Sequence, residues 1–344
     1  MALIPVTILT GFLGAGKTTL LNRILREPHG YKIAVIENEF GQENIDNEIL
    51  VQDSTEQIVE MNNGCICCTV RGDLIVALSS LAQKRRAGEL AFDRVVIETT
   101  GLANPGPVAQ TFFIDDEVAT NYLLDAIVTV VDAKHAMQQL DQHEEAQRQA
   151  GFADKMLISK TDLVGAQQLG ALTARLKRIN PRAPIGNVDF GKTPISEVLD
   201  LRGFNLNDKL EIDPDFLAAE EHEHHDCDDH EPCGHAHHDH HHAHHSDDIA
   251  AFVFKSERAF DSAKLDEMLG GFVQVYGPRM LRYKGVLWMA GADRKVVFQG
   301  VHQTMGSDLG AKWADGEARG SKLVFIGKNL PKETFIRGLE QCLV

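Results

Sequence analysis

The feature that most constrains the fold is a short glycine-rich segment near the start of the chain. Residues 11–18 read GFLGAGKT, directly after an apolar run and directly before a helical pattern. This is the full G-x-x-x-x-G-K-[ST] pattern in the strand, loop and helix setting that it requires. Its glycines let backbone N–H groups curl around phosphate oxygens, and the following helix adds positive potential. The segment therefore predicts a phosphate-binding loop on a parallel α/β sheet.

The next part of the chain, up to about residue 200, alternates apolar runs with helical patterns. The predicted strands are 5–10, 32–39, 94–99, 126–131, 155–160 and 185–188. The predicted helices are 17–27, 73–86, 107–113 and 167–179. Such alternation is typical of βαβ units, so we expect a doubly wound, mostly parallel sheet covered by helices on both faces.

The alternation stops after residue 210 and gives way to a His-rich and acidic segment. Residues 220–248 contain 12 His, 10 acidic residues and 2 Cys, without a single Lys or Arg. This composition cannot bury enough apolar surface to offset its ordering entropy, so it predicts a flexible segment. From residue 249 a smaller α+β domain is expected, with strands at 250–255, 282–289, 296–301 and 322–326 and helices at 262–275 and 332–343. The predicted division is 1–205, 206–248 and 249–344.

Charge and hydropathy exclude several classes of function. Lys and Arg number 34 against 50 Asp and Glu, a net charge of −16. Nucleic acid is therefore not an expected partner, because phosphate backbones attract basic surfaces. No apolar run reaches the roughly 18 residues that span a bilayer, and the amino terminus lacks a secretory pattern. We expect a cytoplasmic protein with no membrane partner.

Residues that could act on a bound phosphate lie in and after the glycine-rich loop. Lys17 is expected to reach the β- and γ-phosphates, and the Thr18 hydroxyl to coordinate Mg²⁺. Glu98 follows a predicted strand and could order Mg²⁺ or its waters, and the Gly101 N–H could approach the γ-phosphate. An exposed loop glutamate is the alternative interpretation of Glu98. The predicted phosphate contacts are Gly11, Gly14, Ala15, Gly16, Lys17, Thr18 and Thr19.

The choice of base is predicted from Ser159, Lys160, Thr161 and Asp162, again after a strand. A fixed carboxylate at Asp162 would accept two hydrogen bonds from guanine, which adenine cannot donate, while the Lys160 stem covers the ring. The nucleotide is therefore expected to be GTP. The usual motif has Asn where this chain has Ser159, which predicts a weaker side-chain contact. The alternative is that Thr161 or Asp162 simply caps the next helix.

A cysteine cluster, Cys65, Cys67 and Cys68, predicts a metal site. Thiolates are soft ligands for Zn²⁺ or Cu(I), and three of them within four positions of a loop could converge on one ion. Glu37 or Glu39 could supply a fourth ligand, as could water or a partner protein. The alternative is buried structural thiols or a redox pair.

The His-rich segment is a second candidate for metal binding. Its imidazoles occur at many spacings, which suits several labile Zn²⁺, Ni²⁺ or Co²⁺ ions better than one structural ion. A solvated linker without a metal role is the alternative. The candidate ligands are His222, His224, His225, His230, His235, His237, His238, His240, His241, His242, His244 and His245.

Together these motifs resemble those of the CobW-type metallochaperone GTPases. The resemblance is carried by GFLGAGKTT at 11–19, ENEFG at 37–41, GCICC at 64–68, ETTG at 98–101 and SKTD at 159–162, and it covers nearly the whole chain. The family is related to the nickel-inserting GTPases of hydrogenase and urease maturation. The resemblance implies that the cysteine cluster is the transfer site for the metal.

These observations predict a Mg²⁺-dependent enzyme that binds GTP and GDP and carries a divalent transition metal. Zn²⁺ is the expected metal, with delivery to a client metalloprotein coupled to GTP hydrolysis. Two alternatives stay open, a metal store with a vestigial GTPase and a cobalt or nickel chaperone for cobalamin or metalloenzyme maturation. A third, an ATP-using enzyme such as a kinase, is disfavoured by Asp162. The oligomeric state is open, and a homodimer is one expectation.

Overall fold

The computed structural model of the chain describes residues 3–37, 58–60, 69–203, 248–314 and 316–344. Its first sheet has seven strands in the order β3-β2-β4-β1-β5-β6-β7. All neighbours in this sheet are parallel. The strands are β1 Ile4–Thr10, β2 Ile33–Glu37, β3 Ile58–Glu60, β4 Arg94–Glu98, β5 Tyr122–Asp132, β6 Lys155–Ser159 and β7 Ile185–Val188. The predicted doubly wound sheet is confirmed, with β3 added at one edge.

Seven helices of the described residues accompany this sheet. They are α1 Lys17–Arg26, α2 Thr69–Arg86, α3 Pro105–Ile114, α4 Asp116–Asn121, α5 Ala136–Gln142, α6 Glu144–Phe152 and α7 Ala166–Ile179. α1 packs on one face of the sheet through Leu20, Leu21 and Ile24. α2, α3, α6 and α7 pack on the other face. Both faces are therefore covered, as continuous Val- and Ile-rich strands require.

A second sheet follows from residue 249. Its order is β11-β10-β9-β12-β8, and every pair is antiparallel. The strands are β8 Ile249–Ser256, β9 Met280–Leu287, β10 Arg294–Val301, β11 Thr304–Lys312 and β12 Ser321–Lys328, with helices α8 Ser262–Tyr276 and α9 Lys332–Gln341. The predicted α+β character is confirmed, although β11 was not predicted, because its Gly-rich sequence lacks a clear apolar alternation.

The antiparallel sheet forms a middle layer between two sets of helices. In β12, Leu323 and Phe325 join a cluster with α8 and α9. Their neighbours Val324 and Ile326 join the core of the parallel-sheet part. Successive side chains of a strand point to opposite faces, so this one strand contributes to two cores.

A buried ion pair also joins the two sheets. The Arg282 guanidinium of β9 lies 2.5 Å from the Asp154 carboxylate, and both side chains are almost fully buried. Asp154 also accepts a hydrogen bond from the Ile127 N–H at 2.9 Å. Arg282 donates further to the Gly203 carbonyl, the last residue described before the His-rich region.

No helix in the described ranges is long and apolar enough to cross a membrane.

Candidate functional site

The glycine-rich loop between β1 and α1 has the backbone of a phosphate cradle. Gly14 and Gly16 have φ values of 74° and 99°, a backbone conformation that residues with a Cβ atom rarely adopt. A Cβ atom at either position would meet nothing within 4 Å, so the concave side of the loop is open. At Gly11 a Cβ would lie 2.3 Å from the Val130 carbonyl oxygen. These positions therefore need glycine, and the open backbone suits an anion bound through N–H groups.

Lys17 and Thr18 begin α1 beside this cradle. The Lys17 ammonium is buried and donates to the Gly11 carbonyl at 2.9 Å. The Thr18 hydroxyl donates to the Glu98 carboxylate at 2.8 Å. Residues 80 positions apart in the chain thus meet because β1 and β4 are neighbours and both end at this edge.

The hydroxyl and carboxylate form a pair of hard oxygen donors next to the open cradle. Such donors are what Mg²⁺ prefers, usually with phosphate oxygens and water as its other ligands. The Thr100 hydroxyl lies nearby in the chain, is buried, and has no hydrogen-bond partner among the described residues. A phosphate oxygen is a suitable acceptor for it. The donor set therefore fits a Mg²⁺-bound polyphosphate.

The segment after β4 lies directly against the glycine-rich loop. A Cβ at Gly101 would lie 2.6 Å from the Leu13 side chain, so only glycine allows this approach. Gln149 of α6 holds the segment from the other side, because its Nε2 donates to the Gly101 and Ala103 carbonyls at 3.2 and 3.0 Å. Sequence reasoning missed Gln149, since nothing in its local pattern distinguishes it from other polar helix residues.

The predicted base-binding segment follows β6. The Ser159 hydroxyl lies 2.7 Å from the Ala15 carbonyl and 3.3 Å from the Val131 carbonyl. Serine at this position therefore still joins the base-binding segment to the phosphate loop. The alternative that Thr161 or Asp162 caps the next helix is wrong, because α7 begins at Ala166 with Gly165 as its N-cap.

Lys160 crosses from β6 to the phosphate loop. Its ammonium donates to the Gly14 carbonyl at 2.8 Å and to the Asp132 carboxylate at 2.6 Å. Asp132 also contacts His135 and is 2% exposed. Burial by itself raises the pKa of the Asp132 carboxyl, but hydrogen bonds from Lys160 and His135 outweigh burial and hold that pKa below its ordinary value. The carboxylate is thus charged and holds the Lys160 stem.

Asp132 was missed from the sequence although a signal for it exists. It is the last residue of β5, directly in register with Ser159 of β6. An acid at the end of the strand beside the base-binding strand would have been sufficient reason to name it. Asp162 itself lies on a short 3₁₀ turn, Thr161–Leu163, with an exposed side chain.

Glu37 is the one predicted metal ligand within the described ranges. It ends β2, is partly buried, and lies in register with Glu98 of β4. Directly opposite residues of neighbouring parallel strands are about 4.8 Å apart. Glu37 therefore lies beside the residue that contacts Thr18.

The other predicted metal ligands lie outside the described residues. These are Glu39, Cys65, Cys67 and Cys68 and the histidines from His222 to His245. In the chain, the cysteine cluster falls between β3 and α2. Across the residues that are described, no group of three or more His, Cys, Asp or Glu could hold a metal ion.

Comparison with known families gives matches to both sheets. Residues 5–187 match the CobW/HypB/UreG nucleotide-binding domain, and residues 249–343 match the Cobalamin synthesis protein cobW C-terminal domain. The zinc chaperone YjiA of Escherichia coli (strain K12) is 40% identical over 330 residues, which cover 96% of each chain. Zinc-regulated GTPase metalloprotein activator 1 of Dictyostelium discoideum is 30% identical over 99% of this chain and 80% of its own.

The likeness extends to three dimensions. The crystal structure of Zn(II)-bound YjiA GTPase from E. coli superposes with a TM-score of 0.77 at 35% identity, and the match covers 100% of both chains. The arrangement of both sheets is therefore shared with an experimentally solved protein.

Proposed function

The chain belongs to the CobW/HypB/UreG family of nucleotide-binding proteins, and from this premise we propose that it is a GTP-hydrolysing zinc metallochaperone. The observation that carries the proposal is the contact between the Thr18 hydroxyl and the Glu98 carboxylate, 2.8 Å apart beside an open glycine cradle. A protein that binds phosphate without Mg²⁺ would need the cradle but not this pair of oxygen donors. Relatives named as GTPases and zinc chaperones support the same activity.

The catalytic roles follow from where the side chains lie. Lys17 would exchange its bond to the Gly11 carbonyl for the β- and γ-phosphates. Thr18 and Glu98 would hold Mg²⁺, Thr18 directly and Glu98 directly or through water. When bound, Mg²⁺ neutralises the charge that develops on the phosphates during transfer. Gly101, held by Gln149, would place its backbone N–H towards the γ-phosphate.

At the other end of the site, Asp162 would select guanine and Lys160 would cover one face of the base. The ion pair with Asp132 supports this role, since it directs the Lys160 stem across the site towards Gly14. Ser159 would maintain the distance between base and phosphates through its contact with Ala15.

Zinc is the cargo in this proposal. Cys65, Cys67 and Cys68 would bind it with Glu37 or Glu39, because three thiolates leave a tetrahedral ion one ligand short. Glu37 is paired in register with Glu98, so a ligand of zinc and a ligand of Mg²⁺ occupy neighbouring strand ends. This arrangement supports a coupling in which GTP hydrolysis changes zinc affinity. The His-rich segment would act as a labile store.

We further propose that the zinc is passed to a client metalloprotein in the cytoplasm, with the protein acting as a homodimer. The family relatives named as chaperone and metalloprotein activator support a client.

The test of hydrolysis compares charged residues inside and outside the site. Wild type should hydrolyse GTP with Mg²⁺, and Glu98→Gln should lower the rate by about 100-fold, as loss of one preorganised electrostatic contact does. The matched control is Glu117→Gln, an exposed carboxylate on α4. Equal rates for Glu98→Gln and wild type would contradict the assignment.

The test of cargo binding measures Zn²⁺ affinity with GDP and with a non-hydrolysable GTP analogue, in protein lacking residues 220–247. The two affinities should differ by about 5- to 150-fold, the usual size of such couplings. Replacing Cys65, Cys67 and Cys68 by Ala should remove the tight ion. Cys342→Ala is the control, because that thiol is buried against α9. Equal zinc affinities in both nucleotide states would leave a GTPase without a chaperone mechanism.

A further inference from the structure

Phe190 is the most exposed large apolar side chain among the described residues, at 77%. It is also one of the non-glycine residues with positive φ, at 52°. Its ring makes no aromatic or cation–π contact with any residue that the structure describes. Bulky residues rarely adopt this conformation, and such outliers concentrate at functional sites. Packing among the described residues therefore does not account for a phenylalanine here.

The loop that carries Phe190 is firmly held on both sides. Before it, the Asp189 carboxylate accepts hydrogen bonds from the Thr161 N–H at 3.2 Å and from the Thr161 hydroxyl at 2.9 Å. After it, a Cβ at Gly191 would lie 2.9 Å from the Thr19 carbonyl oxygen of α1. Lys192 N–H closes the turn on the Asp189 carbonyl at 2.9 Å. The loop thus joins the base-binding segment to α1 while leaving the Phe190 ring outside.

Lys160 and Phe190 lie on loops that follow neighbouring strands of the parallel sheet. Ser159 of β6 and Val188 of β7 are in register, so Lys160 and Asp189 begin neighbouring loops at the same sheet edge. The Lys160 side chain turns away from β7, towards Asp132 of β5 and the Gly14 carbonyl. Phe190 lies on the β7 side. A planar base placed beside Asp162 would then lie between the Lys160 stem on the β5 side and Phe190 on the β7 side.

We propose that Phe190 is a base-stacking residue that covers the face of guanine opposite the Lys160 stem, an inference that rests on the proposed GTP-binding function. Aromatic rings stack on every base because each base has a π-face. Phe190 then contributes affinity, while Asp162 contributes the choice of guanine. In this proposal, the free energy of stacking on the base offsets the cost of the positive φ at residue 190.

The experiment measures GDP and IDP affinities by calorimetry with full-length protein and Mg²⁺. IDP lacks the 2-amino group that Asp162 is proposed to bind, so the GDP to IDP ratio reports on Asp162. Phe190→Ala should weaken both nucleotides by about 5- to 150-fold, the range found for loss of one stacked base, and leave their ratio unchanged. Asp162→Ala should instead reduce the ratio. For GTP hydrolysis, Phe190→Ala should raise KM with kcat unchanged.

Two further variants separate stacking from folding. Phe190→Trp should retain its affinity for GDP. The fluorescence of the new tryptophan should be quenched when GDP binds. Wild type should show less quenching, because Trp288 and Trp313 lie in the antiparallel-sheet part. Phe190→Gly removes the strained side chain, so it should fold at least as well as wild type but bind GDP as weakly as Phe190→Ala. Val275→Ala, an exposed apolar position on α8, should bind GDP normally.

The outcomes distinguish the two proposals. If wild type does not bind GDP, the proposed function fails. If wild type binds GDP and Phe190→Ala binds it equally well, the stacking role fails and the GTPase assignment stands. A changed GDP to IDP ratio in Phe190→Ala would also overturn stacking, because it would assign Phe190 to selecting the base.

Discussion

At the scale of single residues, the site depends on polar side chains that pair with backbone atoms of the phosphate loop. Lys17 donates to the Gly11 carbonyl, Lys160 to the Gly14 carbonyl, and Ser159 lies within bonding distance of the Ala15 carbonyl. Each of these carbonyls belongs to the glycine-rich loop at 11–18. Buried donors and acceptors are costly to leave unpaired, so these three contacts hold the loop in shape before a phosphate takes the place of the Gly11 carbonyl at Lys17.

Ser159→Ala tests this dependence. The hydroxyl is buried, and its loss would leave the Ala15 carbonyl without that donor, so the free energy of unfolding should fall by about 1–3 kcal/mol. The KM for GTP should rise, since the base-binding segment loses its link to the loop. Urea denaturation and steady-state kinetics measure the two effects. Thr120→Ala, which removes an exposed hydroxyl bonded within α4, should have little effect. A variant as stable and active as wild type would contradict this account.

At the scale of elements, the site is assembled where parallel strands end and helices begin. β1, β4, β5 and β6 all end at the same edge, and they contribute the glycine cradle, Glu98, Asp132 and Lys160 respectively. α6 adds a second layer behind this edge, because Gln149 fixes the segment that follows β4. The segment of Gly101 is thereby tied to a helix that also packs on the antiparallel sheet.

Gln149→Leu is the corresponding test. The change keeps the size of the side chain but removes its donor, so the Gly101 and Ala103 carbonyls lose a buried partner. GTP hydrolysis should slow by about 5-fold or more, corresponding to about 1 kcal/mol of lost positioning. Gln147→Leu is the matched control on the same helix, since its amide bonds the Leu140 carbonyl away from the site. That control should lose stability but retain its rate. Equal rates for both variants would rule out a specific role for Gln149.

At the scale of the whole molecule, the two sheets share one apolar core and one buried ion pair. The Arg282 and Asp154 side chains are 2% and 4% exposed, so each charge is stabilised by the other rather than by water. His302, at the turn between β10 and β11, fits against Gly106 at the start of α3 and against the Phe152 ring at 5.2 Å. α3 follows the segment of Gly101, so the antiparallel sheet contacts the helix that begins directly after that segment.

Arg282→Met should destabilise the protein by about 3–5 kcal/mol, because it leaves the Asp154 carboxylate buried without its counter-charge. Adding Asp154→Asn should recover part of that loss by removing the unpaired charge. Denaturation by urea measures both variants. Arg148→Met, which breaks a half-exposed pair with Glu144, should cost less than about 1 kcal/mol. An Arg282→Met variant no worse than this control would show that the pair contributes little.

His302 makes the contact between the sheets sensitive to pH. Burial lowers the pKa of the His302 imidazole, and nearby Arg148 lowers it further, against a hydrogen bond to the Gly277 carbonyl. The folded protein therefore favours the neutral imidazole more strongly than the unfolded chain, in which His302 is protonated below about pH 6.5. Stability from this contact is present above that pH and is lost as pH falls through the folded pKa.

The expected result is that wild type loses more free energy of unfolding than His302→Gln between pH 7.5 and pH 5.5. Urea denaturation at several pH values measures the difference. Parallel curves for the two proteins would contradict a buried neutral histidine.

The parallel fold and the glycine-rich loop with its neighbours Lys17, Thr18 and Glu98 could be predicted from the sequence alone, while their phosphate and Mg²⁺ roles stay predictions. The motif at 11–18 is local, so it is sufficient to name Lys17 and Thr18 as site residues. Glu98 can be named because parallel strands end at one edge of the sheet, where ligands bind. Elements without a strong period were missed, namely the three-residue β3, the strand β11 and the short helices α4 to α6. The cysteine and histidine ligands and the domain boundaries stay predictions.

The polar residues that support the site became visible in the folded chain and not in the sequence. Asp132 meets Lys160 across 28 residues, and Gln149 meets Gly101 across 48. Arg282 meets Asp154 across 128 residues, in a different sheet. Hydrophobic periodicity and sequence motifs contain information only about residues that are close together along the chain. These contacts instead depend on strand order and on how two sheets pack, and that is a property of the folded chain rather than of any local pattern.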